Sequence, residues 1–498
     1  MECVGMSLYS TNGCPNGSGK KGRSNFGRSL KISCLALAFL LLFVLSSAPT
    51  VSFAQSTPSF STPINLGAGI SGKAQNPNIA AAGSCVYVTY PQGSALYVRS
   101  SSNNGVTLGS AVKLSTTGKN NFQRIWATGT DAYVTWEGTV SGGMDIYFSA
   151  TTNCGVSWSA AKVLNTVVIP STCPYLCAQP TLTAVGSDVY VTWTQQNPFQ
   201  TAMSPSCAPT KGPGGCEDVY VRSSTDGGST WGAEHFFGNS AYIRGAHEPE
   251  IAASGNSVYL TWDDSHLYFS ESTNNGGTWV SYTTTSTSEN ALALNQTSFA
   301  ATNREPHIAV SGNTVYIVWE ANPGTKETTY LQVSSDGGTT WLPNNSPFVF
   351  GNNGGTWLPI VFPSGSDAYV AWGQLIKGTF EAEFAYSSNG GSSFTQNTNS
   401  PFNNAASAGA HDTQLAASGA LVYVMYFAGS GTQPTVVEST DGGATFGSPV
   451  IISQGTGATT EVQNDQPQIV ISGSEVCATW LQSVGGVQSA MYSYASSP

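Results

Sequence analysis

Apolar side chains along this chain come in short runs of β-branched and aromatic residues, punctuated by Gly, Asn and Ser. Runs such as Val258-Tyr-Leu-Thr-Trp262 and Val315-Tyr-Ile-Val-Trp319 have the length and composition of strands. They lack the 3.6-residue stripe of an amphipathic helix. Upstream of each lies a Pro-x-Ile/Leu segment ending in Gly, as in Pro249-Glu-Ile251-Ala-Ala-Ser-Gly255 and Pro306-His-Ile308-Ala-Val-Ser-Gly312. Downstream comes a third short strand, such as Leu267-Tyr-Phe-Ser270, and then a fourth. Four strands repeating at about 50 residues predict an all-β fold, a single β-propeller of four-stranded blades.

The aromatic-closed second strand recurs at Val86–Tyr90, Ala132–Trp136, Val189–Trp193, Val258–Trp262, Val315–Trp319, Ala368–Trp372, Val422–Tyr426 and Val476–Trp480. That count predicts eight blades, with seven the alternative if one unit is degenerate. The last unit stops after its third strand near Ala490–Tyr494. Pro63-Ile-Asn-Leu66 resembles the fourth strands of other units, so an N-terminal strand is expected to close the ring and leave no open edge.

Between strands three and four stands a box, Ser/Thr-x-Asp/Asn-x-Gly-x-Thr/Ser followed by an aromatic or leucine. Clear copies centre on Asp226, Asp336 and Asp441, looser ones on Asn103, Asn153, Asn274 and Asn389. An Asp or Asn at a tight turn bonds the backbone N–H groups ahead of it, and Gly permits positive φ, so the boxes are read as structural turns. The box aromatic is expected to tuck under its own blade. Calcium is the ion the box carboxylates could take, but four of the seven copies carry Asn, a poorer ligand for a hard cation.

These boxes, spread over residues 60–494, resemble the Asp-box (bacterial neuraminidase) repeats of the sialidase superfamily. That resemblance implies a propeller. The superfamily includes sialidases, other glycosidases and non-enzymatic binding proteins. The family's Arg-Ile-Pro motif has its nearest match in Arg124-Ile125-Trp126, without the proline. Sialidase chemistry would need three guanidinium groups on the substrate carboxylate, a tyrosine nucleophile activated by a glutamate, and an acid/base carboxylate. Arg124, Arg244 and Arg304 all precede a first strand and are the candidates for the triad, with Glu248, Glu305 and Tyr242 beside them. Simple pairing of these arginines with rim acids is the competing reading. Arg99 and Arg222 fall on third strands, where structural roles suit them.

Loops before strand one and after strand two should open on one face, opposite the boxes. The longest insertions, at 165–178, 194–218, 232–248 and 280–305, fall there. Long loops on a regular scaffold are where binding residues concentrate. His247, His411, Asp412, Asp263, Glu320 and Glu137 sit at the same ends of strands and are candidate binding residues.

Composition places the protein outside the cell. Lys20, Lys21, Arg23, Arg28 and Lys31 precede an apolar run from Ile32 to Leu45, followed by Ser52-Phe53-Ala54. Residues 1–54 read as a secretory signal and 55–498 as the propeller. The protein would touch a membrane only if that segment stayed uncleaved. The formal net charge of −11 disfavours nucleic acid and fits an extracellular glycan or protein as partner. No cofactor is assured. Cys173 and Cys177 share one loop and Cys207 and Cys216 another, a spacing that points to disulfides in an exported chain. Cys85, Cys154 and Cys477 have no evident partners.

Overall fold

In the computed structural model, residues 57–496 are described apart from 116–119, 172–176, 197–216, 238–246, 265, 281–291, 294–302, 323–325, 343–346, 352–354, 377, 398–410, 429–432 and 454–466. For 247, 264, 266, 292, 293, 303, 304 and 411 the backbone alone is described.

The described residues contain strands and no helix, grouped into eight antiparallel sheets in chain order. The first strands of blades 1 to 8 are Asn78–Ala82, Asn120–Thr128, Ala178–Val185, His247–Ser254, Asn303–Ser311, Thr356–Ser364, His411–Ser418 and Gln468–Ser472. Each packs against the first strand of the next blade, and blade 8 packs against blade 1, so these strands wall a central channel. In blade 2 the fourth strand is in two pieces, Lys162–Val163 and Ile169–Pro170, both paired with Gly143–Thr151. The ring closes as the sequence predicts. Ile64 and Asn65 pair with Tyr492 and Met491, giving blade 8 its fourth strand.

Hydrophobic packing lies between blades. One buried cluster joins Tyr133 and Phe148 of blade 2 to Leu182, Val189 and Trp193 of blade 3, and seven further clusters are built alike. The closing tryptophans Trp136, Trp193, Trp319, Trp372 and Trp480 are fully buried in these interfaces. Truncating a tryptophan at such a site typically costs about 3–5 kcal/mol.

All seven boxes fold into one hydrogen-bond pattern. In the blade 5 copy, Ser334 Oγ and Thr340 N–H both donate to Asp336 Oδ1 at 2.8 Å, and Thr340 Oγ1 donates to Oδ2 at 2.6 Å. The blade 4 copy keeps the backbone bond, Thr278 N–H to Asn274 Oδ1 at 2.9 Å, but Asn274 Nδ2 now donates to the Thr278 hydroxyl. Asp226, Asp336 and Asp441 equally have their carboxylate oxygens committed to their own turns.

Two expectations are corrected here. The box aromatic does not tuck under its own blade; it wedges edge-on against the preceding one. Trp231 meets Phe148 at 4.9 Å, Trp341 meets Phe269 at 5.0 Å and Phe446 meets Phe384 at 5.0 Å. The box glycine explains why: a Cβ on Gly228 would stand 2.1 Å from the Phe148 ring. The box is thus the joint between blades, and only glycine lets it approach.

The second correction concerns cysteines. Cys85, at the start of strand two in blade 1, is disulfide-bonded to Cys154 in the blade 2 box, with Cα atoms 5.4 Å apart. This is the same inter-blade joint: where the residue after the box Asn carries a side chain, as Asn104, Cys154 and Asn275 do, it faces the preceding blade. At the blade 3/4 joint the equivalent Asn275 Nδ2 donates to Asp188 Oδ2 at 3.1 Å. Cys177 is also disulfide-bonded, whereas Cys173, Cys207 and Cys216 lie outside the described residues. Cys477 is free and buried, and burial pushes its thiol up to about 12.

Arg99 and Arg222 hold carbonyl groups at blade edges: Arg222 Nη1 donates to Leu164 O of blade 2 at 2.7 Å. Both are spent on structure.

Candidate functional site

Strand one enters its blade through a distorted turn. In blades 2 to 7 the pairing with strand two slips at this point, a β-bulge. The residue at the slip has positive φ although it is not glycine: Phe122 at 48°, Glu248 at 50°, Glu305 at 53°, Leu358 at 48° and Asp412 at 55°. Blade 1 places Asn76 and blade 3 Gln179 in the same conformation. Bulges re-aim side chains, and non-glycine residues held at positive φ cluster where function requires them.

Two residues further on stands the x of the Pro-x-Ile/Leu segment. It always faces the residue just before the closing aromatic of strand two: Arg124 opposite Thr135, Glu250 opposite Thr261, His307 opposite Val318. Asn78, Thr181, Ile360, Gln414 and Gln468 complete this ring of eight. The register therefore sets Arg124, Glu250 and His307 at one level of the channel wall.

The Arg124 charge acts on the other two across the ring. Burial raises the Glu250 carboxyl to about 7, with a further rise from Glu248 and an opposing pull from the Arg124 charge. Burial lowers His307 to about 4, and the Arg124 charge lowers it further. Arg124 belongs to blade 2, Glu250 to blade 4 and His307 to blade 5, so the guanidinium reaches side chains two and three blades away. Both partners are half-buried on the innermost strands of their blades. Val361 N–H donates to His307 Nδ1 at 3.5 Å, which leaves the neutral ring's proton on Nε2. The site thus offers a fixed cation, a carboxyl near half-protonation at neutral pH and a neutral imidazole donor.

Above this ring the rim carboxylates stitch blades together. Glu248 Oε2 accepts the Glu305 N–H at 2.6 Å, and Glu305 Oε2 accepts the Leu358 N–H at 3.2 Å. Glu320 lies opposite Arg304 in the sheet and is 2% exposed. Its carboxyl is pushed up to about 11 by burial, then by its hydrogen bond to Glu305 and by the charges of Glu305 and Glu327. Glu320 therefore keeps its proton and donates it to Glu305. Glu137, opposite Asn121, is raised to about 7 by burial, against a hydrogen bond from Asn121. Asp263 lies opposite His247, and Asp412 follows His411, which pairs with Phe427.

One end of the blades thus gathers Arg124, Glu248 and Glu305 on first strands and the buried Glu320 and Glu137 on the second strands behind them. Arg244 and Tyr242 lie outside the described residues, and Arg304, His247 and His411 are placed by backbone only. Much of the four insertions lies outside them as well. Among the described residues no cluster of three or more His, Cys, Asp or Glu side chains could hold a metal ion. Among them, too, no helix is long and apolar enough to cross a membrane. Glu250 escaped the sequence reading although the Pro-x-Ile/Leu repeat marks its position in every blade. The repeat reads as a strand start, and nothing in the spacing says that x faces the channel.

No family model and no curated protein matches the sequence. Among solved structures the chain is similar to a polysaccharide lyase described as an ulvan lyase, at 11% identity and a TM-score of 0.46, over 74% of this chain and 90% of that one. It is also similar to a Trypanosoma rangeli sialidase in complex with the inhibitor DANA, at 13% identity and a TM-score of 0.35, over 68% of this chain and 56% of that one. A third similarity is to a Hadza microbial sialidase, at 10% identity and a TM-score of 0.38, over 82% of this chain and 76% of that one.

Proposed function

We propose that this protein is an exported propeller that binds an extracellular glycan or protein at the channel mouth, on the face bearing the rim residues. The observation that carries this reading is the placement of Arg124, Glu250 and His307, from three blades, at one level of the channel wall, with the Arg124 charge acting on the other two. A blade core has no use for such groups; a polar ligand does. A glycan is favoured over a protein because the groups face a lumen, where an extended protein surface cannot dock. The Asp-box resemblance and the signal-like N-terminus support the same reading, as does a disulfide, which forms in oxidising compartments. Screening the purified protein against immobilised oligosaccharides tests it; no binding to any glycan, with a protein ligand captured instead, would leave only the second half of the proposal.

The second reading is an exo-glycosidase of sialidase type, with Arg124, Arg244 and Arg304 on the substrate carboxylate, Tyr242 as nucleophile, and Glu248 or Glu305 in the proton-handling roles. It is favoured by Glu250, whose raised carboxyl, within the field of the Arg124 charge, is the kind of group that gives and takes protons at neutral pH. Hydrolysis of a fluorogenic sialoside, with Arg304→Ala as the control, decides it.

A further inference from the structure

One turn of the strand repeat below Arg124 the channel wall changes character. The next residue with the same orientation faces a tyrosine of strand two in seven of the eight blades, among them Ala80 opposite Tyr87, Thr183 opposite Tyr190, Ala252 opposite Tyr259, Ala309 opposite Tyr316 and Ala416 opposite Tyr423; in blade 8 Val470 faces Cys477. In blade 2 that position is Trp126, opposite Tyr133. It is 42% exposed, on the innermost strand of the ring. The one other bulky aromatic at this level, Phe362 in blade 6, is packed against the blade 6/7 core. Trp126 is therefore a large aromatic surface standing over a floor of small residues.

Its orientation is fixed. The indole N–H donates to the Ala184 carbonyl of blade 3 at 2.9 Å, so the ring spans the gap between two blades and its remaining surface faces the lumen. Five blades show that alanine or threonine satisfies the fold here, so packing does not demand a tryptophan. An exposed indole with its polar edge already bonded is a preorganised apolar platform of the kind that stacks on the C–H face of a sugar ring. Arg124 is two residues away on the same side of the strand, exposed, with one guanidinium bond, to the Gln123 carbonyl at 3.4 Å. Strand geometry separates the two by about 7 Å, the span from the centre of a pyranose to a substituent beyond its rim.

Resting on the glycan-binding reading above, we infer that Trp126 and Arg124 form one axial subsite for a single pyranose ring carrying an anionic group, a carboxylate or a sulfate ester. The ring lies on Trp126 and the anion meets the Arg124 fork, which suits planar oxyanions. The net charge of −11 on the whole chain repels a polyanion, so a sugar with one isolated negative group fits better than a densely charged polymer.

Calorimetric titration of the purified protein with three disaccharides tests this: one bearing a single uronic acid, its carboxyl-reduced neutral counterpart, and one bearing a single sulfate ester. The uronide or the sulfated sugar, or both, should bind, with the neutral counterpart at least about 10-fold weaker. Trp126→Ala should weaken binding by about 10-fold or more while the protein stays folded, its melting temperature falling only by the loss of one inter-blade hydrogen bond and a partly covered ring. Trp126→Phe, which loses the same bond, should recover part of the binding. Arg124→Ala should erase the preference for the charged sugar. Unchanged binding in Trp126→Ala overturns the platform while leaving the glycan-binding reading intact. Equal binding of the neutral sugar overturns the anionic assignment. Binding of other oligosaccharides in the broader screen, with none of these three bound, overturns the subsite alone.

Discussion

Glu248 Oε2 in blade 4 accepts the backbone N–H of Glu305 in blade 5 at 2.6 Å, and both glutamates sit at positive φ. The carboxylate joins two blades at the channel mouth while its own backbone is held where a Cβ is disfavoured. Glu248→Ala should therefore cost about 1–3 kcal/mol, the price of leaving a half-buried N–H unpaired. Glu248→Gly loses the same bond but relaxes the backbone, and should recover roughly 1 kcal/mol of that loss. Urea unfolding of the two variants gives the comparison. If the glycine variant is no more stable than the alanine variant, the turn carries no strain.

The Cys85–Cys154 bond does at the blade 1/2 joint what an Asn275–Asp188 hydrogen bond does at the blade 3/4 joint. Removing it as Cys85→Ala/Cys154→Ala should cost about 2–5 kcal/mol. The pair Cys85→Asp/Cys154→Asn transplants the other joint's chemistry and should regain about 1 kcal/mol of that loss. Thermal melting under non-reducing conditions should rank wild type first, the transplant second and the double alanine last.

The repeat made the fold readable because every blade solves the same packing problem with the same residues. Eight aromatic-closed strands gave eight sheets, and Pro63–Leu66 was recognisable as the missing fourth strand because fourth strands share an apolar pattern. Contacts between repeats were not readable. Cys85 and Cys154 are 69 residues apart, and only the blade-to-blade stacking brings them together. Trp231 looked like part of its own blade for the same reason. The candidate site suffers most from this blindness: Glu250 and His307 each look like the middle of a strand, and their placement at the level of Arg124 depends on closing the ring.

The box at Asp336 separates charge from geometry. Asn occupies the same position in four blades and keeps the backbone bond, so Asp336→Asn should change stability little; the Thr340 hydroxyl need only switch from donor to acceptor. Asp336→Ala removes the acceptor for three donors and should cost of order 1 kcal/mol, as a lost helix cap does. Gly338→Ala should be worse than either, because its Cβ would stand 2.5 Å from the Phe269 ring and φ is 95°. Denaturation midpoints of the three variants test this order.

Glu320 should make the protein less stable as pH rises. Its carboxyl holds a proton to about 11 in the folded state, against an ordinary value of 4.5. A group with a raised folded pKa contributes its full stability below the unfolded value and loses it as pH climbs toward the folded one. Glu137 and Glu250, both at about 7, act in the same direction but are largely spent above that value. His307, lowered to about 4, acts in the opposite direction and only below its unfolded value of 6.5. In a window from about pH 7.5 to 8.5 Glu320 is the main contributor, with a slope of at most about 1.4 kcal/mol per pH unit. The buried Cys477 thiol, raised from 9.0 to about 12, adds a smaller decline toward the upper end. Glu320→Gln keeps a donor for the Glu305 carboxylate and cannot ionise, so its unfolding free energy should decline clearly less steeply across that window than that of the wild type. Equal slopes in the two proteins would mean that Glu320 is already charged, and that the rim holds two carboxylates with no proton between them.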